Sequence, residues 1–233
     1  MVLLFFSHAG GSAKSYVSFK RFLPKELTVV PMELSGRFSR MAEPLIDNVP
    51  DCVAELIEQH KDILSGDYAL FGHSMGTVLV TEFVRQAKEK GLPQPCHVFL
   101  SGKNPPDEDM HCFETILTAS DEEIVEYFTK NSLSMASPVP QDNALVKILN
   151  RILCTDVRMA ERYKATPEDV TFDCDVTVFF GESDPLLMDL DMSTWSRFTN
   201  GKCEVYSFPG DHFYYQQNKE AVCDIIKEKI CNQ

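Results

Sequence analysis

Long hydrophobic runs are absent from this sequence. No apolar stretch approaches the roughly 18 residues that a membrane helix needs. The only apolar run near the start, residues 2–6, is too short for the hydrophobic region of a signal peptide, and no basic stretch precedes it. We therefore expect a cytoplasmic protein with no membrane partner, whose substrate is soluble or is carried by a soluble protein.

Positive charge and metal-ligand patterns are scarce as well. The 233 residues include 22 Lys and Arg against 35 Asp and Glu, which gives a formal net charge of −13. Because proteins bind phosphate backbones through clustered Lys and Arg, this balance argues against a nucleic-acid partner. The eight cysteines form no C-x-x-C pair and no metal-binding spacing with the six histidines. We expect no metal site and no cofactor, and mostly buried thiols in a reducing compartment.

Alternating strand and helix patterns predict the fold class. Short apolar runs rich in β-branched and aromatic residues predict buried strands at 2–6, 27–31, 68–71, 97–101, 176–180 and 203–208. Apolar residues that return every three or four positions predict helices at 49–64 and 77–90. This alternation indicates an α/β protein with a mostly parallel sheet covered by helices on both faces. We expect one domain over residues 1–233.

The alternation breaks between about residues 105 and 173. Ser120 and Glu123 form a capping-box pattern that predicts a helix through Phe128, and two further helices are expected at 142–154 and 157–163. The apolar residues of this insert suit a helical lid over a pocket: Phe113, Ile116, Leu117, Leu133, Met135 and Leu149. The alternative is a helical insertion that packs for stability alone.

The most informative segment is Gly72-His73-Ser74-Met75-Gly76. It matches G-x-S-x-G and lies between a predicted strand and a predicted helix, as in the nucleophile turn of the α/β-hydrolase fold. In such a turn the serine hydroxyl is lifted above the sheet edge and the next amide, here that of Met75, points at the oxyanion. We predict that Ser74 is a nucleophile; the alternative is a chance match in a serine-bearing turn.

A serine hydroxyl needs a base, and in this fold a histidine follows late in the chain. His212 is the only histidine after residue 111, and it lies in the loop directly after the last predicted strand. We therefore predict that His212 is the general base. The alternative is a histidine with a purely structural role.

The acid that orients the histidine is expected in the loop after the preceding strand. Asp184 fits because Pro185 fixes the chain beside it and the strand end is near. We prefer it to the other acids of that region, which are Glu182, Asp189 and Asp191. Asp211 is adjacent to His212 in sequence and could not easily turn back to orient its ring.

A second oxyanion donor is expected from the loop after the first strand, residues 7–12. Its small residues allow close approach of the backbone to a substrate, and the Ala9 amide is the preferred donor. His8 is an alternative second base, although we favour a role in shaping the pocket entrance.

Together these residues resemble those of the type II thioesterases, the discrete hydrolases that accompany nonribosomal peptide and polyketide synthases and include a branch that serves animal fatty acid synthase. The resemblance spans nearly the whole chain. Besides the serine turn and the triad it rests on residues 8–11, 33–37, Arg40, Glu43-Pro44, Ser101-Gly102, Pro105, Trp195 and 210–213. One departure is Ser35, because a proline usually precedes the glycine there, and this puts the shape of that loop in doubt.

The resemblance implies hydrolysis of acyl groups from the phosphopantetheine thiol of acyl or peptidyl carrier proteins, either to edit stalled or misprimed chains or to release a product. Ser74 would attack the thioester carbon while His212 takes its proton, and water activated by His212 would then free the acid. Two alternatives remain. One is a small-molecule carboxylesterase or lipase on the same scaffold, and the other is a non-catalytic carrier-binding protein.

Carrier proteins are acidic, so the net negative charge of this chain would repel them. Binding would therefore need a basic rim, a local group of cations at the edge of the site. Five cations lie in loops near the predicted site edge and are candidate contacts for the carrier or for the pantetheine phosphate: Lys14, Lys20, Arg21, Arg37 and Arg40. Ordinary solvated charges are the alternative. We expect the protein to be a monomer.

Overall fold

A computed structural model describes residues 1–108, 116–131, 143–187 and 190–231. Its sheet has six strands: β1 (Val2–Phe6), β2 (Thr28–Pro31), β3 (Tyr68–His73), β4 (His97–Ser101), β5 (Asp175–Gly181) and β6 (Cys203–Phe208). Every pairing in this sheet is parallel. All six predicted strands are therefore found, with end shifts of one or two residues.

The strand order is β2-β1-β3-β4-β5-β6. The chain moves outward from β1 to β2 and then returns to the other side of β1, where Phe6 is in register with Gly72 of β3. At such a switch point the loops after the two central strands diverge and leave a crevice at the carboxyl edge of the sheet. Here those loops carry residues 7–12 and Ser74, so the topology brings them side by side.

Within the described ranges, five α-helices accompany the strands: α1 (Val49–His60), α2 (Met75–Glu89), α3 (Asp121–Lys130), α4 (Ala144–Arg162) and α5 (Lys219–Cys231). Alternate residues of a strand face opposite sides of the sheet, so Leu4 and Phe6 pack in one apolar core with α1, α2 and α4. Leu3 and Phe5 pack in the other, against α5 and the 3₁₀ helix Ala13–Arg21. Both faces are covered, as the sequence predicts for a parallel sheet.

The insert contains α3 and α4. The capping box at Ser120 and Glu123 is present as predicted. The prediction of two helices at 142–154 and 157–163 is wrong, because α4 runs without a break through Asp156, whose carboxylate is satisfied by distant groups. Residue 142 lies outside the described residues, as do the proposed lid residues Phe113, Leu133 and Met135.

Two further expectations concern the membrane and the thiols. None of the helices in the described ranges is long and apolar enough to cross a membrane. All seven described cysteines are free thiols, but only Cys52, Cys154 and Cys223 are buried. The expectation of mostly buried thiols is therefore wrong for the described part of the chain.

Candidate active site

Ser74 lies in the sharp turn between β3 and α2. Its backbone has φ 55° and ψ −120°, a conformation that costs a non-glycine residue about 1–3 kcal/mol. Two hydrogen bonds hold the turn: the Ser74 amide donates to the Ser101 carbonyl (2.7 Å), and the Thr77 amide donates to the Ser74 carbonyl (2.9 Å). The side chain is half-buried at the end of the strand. This is the strained turn expected for a nucleophile.

The glycines on either side of Ser74 are required by space. A Cβ on Gly72 would lie 2.2 Å from the carbonyl oxygen of Gly76, and a Cβ on Gly76 would lie 2.2 Å from the carbonyl oxygen of Phe6. Neither contact involves a flexible side chain that could move away. The G-x-S-x-G spacing therefore reflects backbone packing of β1, β3 and α2 against one another.

Asp184 and His212 are joined by a hydrogen bond of 2.7 Å between Oδ2 and the imidazole Nδ1. Both side chains are buried, with 1% and 2% of their surface exposed. The other carboxylate oxygen, Oδ1, accepts the Leu186 amide (3.0 Å). Because an ionised carboxylate can only accept, this arrangement fixes the proton on Nδ1 and leaves Nε2 as the basic nitrogen.

The alternative acids are placed differently. Glu182 is exposed and accepts from the Ser207 hydroxyl, while Asp191 caps the 3₁₀ helix Met192–Phe198 through the Ser193 amide. Asp211 accepts the amide of Phe213 within its own loop. The remaining acid, Asp189, lies outside the described residues.

Close backbone packing brings the loops of Asp184 and His212 together. The Glu182 amide donates to the Phe208 carbonyl and the Ser183 amide to that of Gly210, both at 2.9 Å. A Cβ on Gly181 would lie 2.2 Å from the Asp211 carbonyl oxygen, so only glycine permits this approach. Both residues are thus held by the carboxyl edge of the sheet.

A small cavity of about 20 Å³ adjoins Ser74. Ala9 and Met75 line it together with Ser74, and neither of their amides donates a hydrogen bond to another group in the described ranges. Its other walls come from the sheet edge, the insert helices and the loop after β5: Gly102, Lys103, Phe128, Val157, Ala160, Glu161 and Leu186. Helices α3 and α4 therefore cover a pocket at the candidate nucleophile.

His212 lies close to this cavity without a hydrogen bond to Ser74. Its ring centroid is 4.8 Å from that of His73, the residue before Ser74. Gly102, which lines the cavity, has its ideal Cβ position 3.4 Å from Cε1 of His212. Within the described residues no hydrogen bond joins the Ser74 hydroxyl to the imidazole, whose side-chain hydrogen bond is to Asp184.

The geometry can be compared with known proteins. A sequence model described as the thioesterase domain matches residues 2–230, nearly the full chain. The chain belongs to the thioesterase domain family. The resemblance found in the sequence is therefore confirmed at the level of the family.

Relatives of this thioesterase-family chain come from several biosynthetic systems. The gramicidin S biosynthesis protein GrsT of Aneurinibacillus migulanus is 27% identical over 223 residues, which cover 96% of this chain and 86% of GrsT. The medium-chain S-acyl fatty acid synthase thioesterase of Homo sapiens is 28% identical, with 91% of this chain and 80% of the human protein covered.

Solved structures agree over almost the whole chain. ClbQ from the colibactin NRPS/PKS pathway superimposes with a TM-score of 0.89 at 31% identity, covering 98% of this chain and 96% of ClbQ. RedJ, a thioesterase of prodiginine biosynthesis in Streptomyces coelicolor, gives 0.87 at 27% identity, with 98% and 85% covered. RedJ is a thioesterase by its own description, and the predicted α/β-hydrolase fold with its helical insert is confirmed.

His8 is unsuited to the role of a second base in this thioesterase fold. Burial, followed by the charge of His212 and that of Arg37, lowers the pKa of His8 to about 3. Burial also lowers the pKa of His73 well below its usual value. The ring of His8 packs edge-on against Phe213 with centroids 5.0 Å apart. Both imidazoles are thus neutral neighbours of His212 at physiological pH.

The predicted basic rim is smaller than expected. Arg37 is 1% exposed, so a surface contact with a carrier protein does not agree with its position. Arg40 is half-buried and paired with both Glu43 and Glu55. The cations that remain exposed lie on one short segment, the 3₁₀ helix that follows the proposed oxyanion loop (residues 7–12): Lys14, Lys20 and Arg21.

Sequence reasoning missed two charged pairs of the insert. Lys103 and Glu161 form an ion pair of 3.1 Å in the cavity wall, and Asp156 forms a buried pair with Arg37. A charge on the apolar face of a helix is the signal that could have found Asp156, because unpaired charges are almost never fully buried. No group of three or more His, Cys, Asp or Glu in the described part of the chain could hold a metal ion.

Proposed function

We propose that this protein hydrolyses acyl thioesters carried on the phosphopantetheine arm of acyl or peptidyl carrier proteins, with Ser74 as nucleophile, His212 as base and Asp184 as the orienting acid. The observation that carries the proposal is the buried hydrogen bond between Asp184 and His212, next to the strained turn of Ser74. The family and the biosynthetic systems of the relatives support the thioester substrate.

The reaction has two halves. In the first, Nε2 of His212 takes the Ser74 proton as the hydroxyl oxygen attacks the thioester carbon, and the amides of Ala9 and Met75 stabilise the oxyanion. The carbon–sulfur bond then breaks and the proton passes to the pantetheine thiolate. In the second half, water loses a proton to His212 and attacks the acyl-serine, which releases the acid and restores Ser74.

The pocket suits an acyl group on one side of Ser74 and a pantetheine arm on the other. We assign the acyl group to the cavity under α3 and α4, whose lining includes Phe128, Val157 and Leu186. Because this cavity is small, a long acyl chain requires the two helices to move outward. A separate groove starts at the same Ala9 and runs past Phe38 and Leu149. Half of its ten lining residues are glycine, alanine or serine, which leave room for a flexible arm.

The carrier partner would dock where the groove opens. Exposed Lys14 follows the groove-lining Ser12 by two residues and offers a cation for the acidic carrier or for the arm's phosphate. The proposal includes a cytoplasmic location, because carrier proteins of synthases act there, and a monomeric enzyme without a cofactor of its own.

One experiment separates this function from its alternatives. The same acyl group is offered on a carrier protein, as a free N-acetylcysteamine thioester and as a p-nitrophenyl ester, and the released acids are quantified by mass spectrometry. We expect a higher kcat/KM for the acyl carrier than for the free thioester, and no turnover by Ser74→Ala, which should still bind the carrier. Preference for the oxygen ester would favour a carboxylesterase, and turnover by Ser74→Ala would exclude this nucleophile.

A further inference from the structure

Asp156, on α4 of the insert, contacts the oxyanion loop directly. Its Oδ2 accepts the amide of Gly10 at 2.8 Å and the Nη1 of Arg37 at 2.6 Å, while its Oδ1 accepts the Nη2 of Arg37 at 2.7 Å. The Asp156 side chain is fully buried. One carboxylate thus joins three segments: the loop after β1, the segment after β2 and the helix over the pocket.

A stabilising role alone explains this arrangement poorly. Burying a carboxylate and a guanidinium costs so much solvation that a buried pair often gives no net stability over apolar residues of the same size. The pair is also incompletely satisfied, because the buried Arg37 Nε has no hydrogen-bond partner among the residues that the structure describes. Such a pair is better explained by what it orients than by the stability it adds.

The backbone conformation on either side of Arg37 directs its side chain into the protein interior. Gly36 and Phe38, on either side, both have positive φ angles, 74° and 41°. A Cβ on Gly36 would lie 2.8 Å from the Cα of Leu45, so glycine is required there. A bulky residue with positive φ is strained, and such strain persists only where the surroundings fix the conformation.

The other end of the contact is equally constrained. Gly10 has φ +71°, and its ideal Cβ position is only 3.3 Å from Cδ1 of Leu153, one turn before Asp156 on α4. The loop therefore rests on α4 through both an apolar contact and a charged hydrogen bond. Gly10 directly follows Ala9, so fixing its peptide also restricts the residue whose amide faces the pocket.

We propose that Asp156 is a positioning residue: it holds the Gly10 amide, with Arg37 fixing the carboxylate, and so sets the position of the Ala9 amide that stabilises the oxyanion. This inference rests on the proposed acyl-transfer function. It also couples the seating of α4, the helix over the pocket, to the oxyanion loop. A displacement of α4 would weaken transition-state stabilisation before it affected Ser74 or His212.

The test compares Asp156→Glu and Asp156→Asn with wild type. The first keeps the charge for Arg37 but moves the acceptor by one methylene, and the second keeps the shape but removes the charge. We expect kcat to fall about 10- to 100-fold, part of the loss from deleting one oxyanion donor, with KM changed by about twofold at most. Affinity for a trifluoromethyl ketone analogue, whose adduct carries an oxyanion, should fall in parallel.

Arg158→Met is the matched control. Arg158 lies on the same helix and pairs with Asp121 of α3, away from the oxyanion loop. The Arg158→Met variant should have a lower Tm than wild type, with kcat and analogue affinity unchanged. If Asp156→Asn does not fold, Asp156→Glu alone carries the test.

Unchanged kcat and analogue affinity in a folded Asp156 variant would overturn the inference. So would equal losses of kcat in the Arg158 and Asp156 variants, because they would indicate a purely structural role. Turnover is measured with both the acyl carrier and a p-nitrophenyl ester. Failure of the carrier proposal would appear as poor carrier turnover by wild type, and it would leave the ester assay of Asp156 intact.

Discussion

The two halves of the candidate site are held by different parts of the molecule. Asp184 and His212 are fixed by loops at the carboxyl edge of β5 and β6, through backbone hydrogen bonds and the close approach at Gly181. The loop of Ala9 depends on α4, through Asp156. The proposed acid and base thus belong to the edge of the sheet, whereas the proposed oxyanion donor Ala9 belongs to the interface with the insert.

This difference has a chemical meaning. Proton transfer requires a fixed imidazole, and a sheet edge provides one whatever substrate is bound. Substrates of a thioesterase differ in their acyl group, which the proposed function places beneath the insert helices. An oxyanion loop that rests on α4 lets the fit of the acyl group influence transition-state stabilisation, because both contact the same helix.

We expect the largest loss of activity from a substitution of Asp184, in the half of the site that the sheet holds. Asp184→Asn should leave the fold intact but place the wrong tautomer of His212 toward Ser74. We expect kcat to fall by about 10⁴-fold, the size of loss seen when the acid of such a triad is made neutral. Steady-state kinetics with a free thioester would measure it. A loss below about tenfold would show that another group orients the imidazole.

We expect an intermediate effect on activity from a substitution that fills the cavity beneath α3 and α4. Ala160→Phe places a ring in the cavity next to Ser74, so long acyl thioesters should be turned over more slowly while acetyl thioesters are retained. Overpacking should also lower the free energy of unfolding by about 1–3 kcal/mol. A panel of acyl lengths measures the first effect and denaturant unfolding the second.

Lys147→Ala, on the exposed face of α4, is the control for that substitution and should change neither quantity. Equal losses for acetyl and long-chain thioesters in Ala160→Phe would contradict the assignment of this cavity to the acyl group.

We expect the smallest effect on activity from a change of charge at Lys14, at the edge of the site. Lys14→Glu should raise KM for the acyl carrier by about two- to fivefold at low salt and leave the free thioester unaffected, because rim charges act mainly on encounter. Lys25→Glu is the control: it is exposed but lies just before β2, at the opposite edge of the sheet. Equal behaviour of the two variants would remove Lys14 from the carrier contact.

The sheet and the serine turn could be predicted from the sequence because their determinants are local. Strands buried on both faces give continuous apolar runs, and the turn at Ser74 needs glycines at fixed short spacing. The position of His212 after the last strand followed from the same parallel topology. Each of these features leaves a short, local pattern in the sequence, although the contacts that require it can involve distant residues such as Phe6 and Gly76.

The helix and the buried charges of the insert were harder to predict, because the residues that determine them are far apart in the chain. Arg37 looked like a surface cation, yet its partner Asp156 is 119 residues away. The two helices predicted at 142–154 and 157–163 are likewise one continuous helix, Ala144–Arg162. A charge on the apolar face of a helix indicates that Asp156 has a buried partner, but no local pattern identifies that partner as Arg37.

The most direct test of the account is the identity of the nucleophile. The protein is incubated with a fluorophosphonate, and its mass is measured intact and after digestion. We predict one phosphonate per chain, on the peptide that contains Ser74, with no labelling of Ser74→Ala and labelling of His212→Ala slowed at least about 100-fold. Labelling of another residue, or undiminished labelling of Ser74→Ala, would contradict the account.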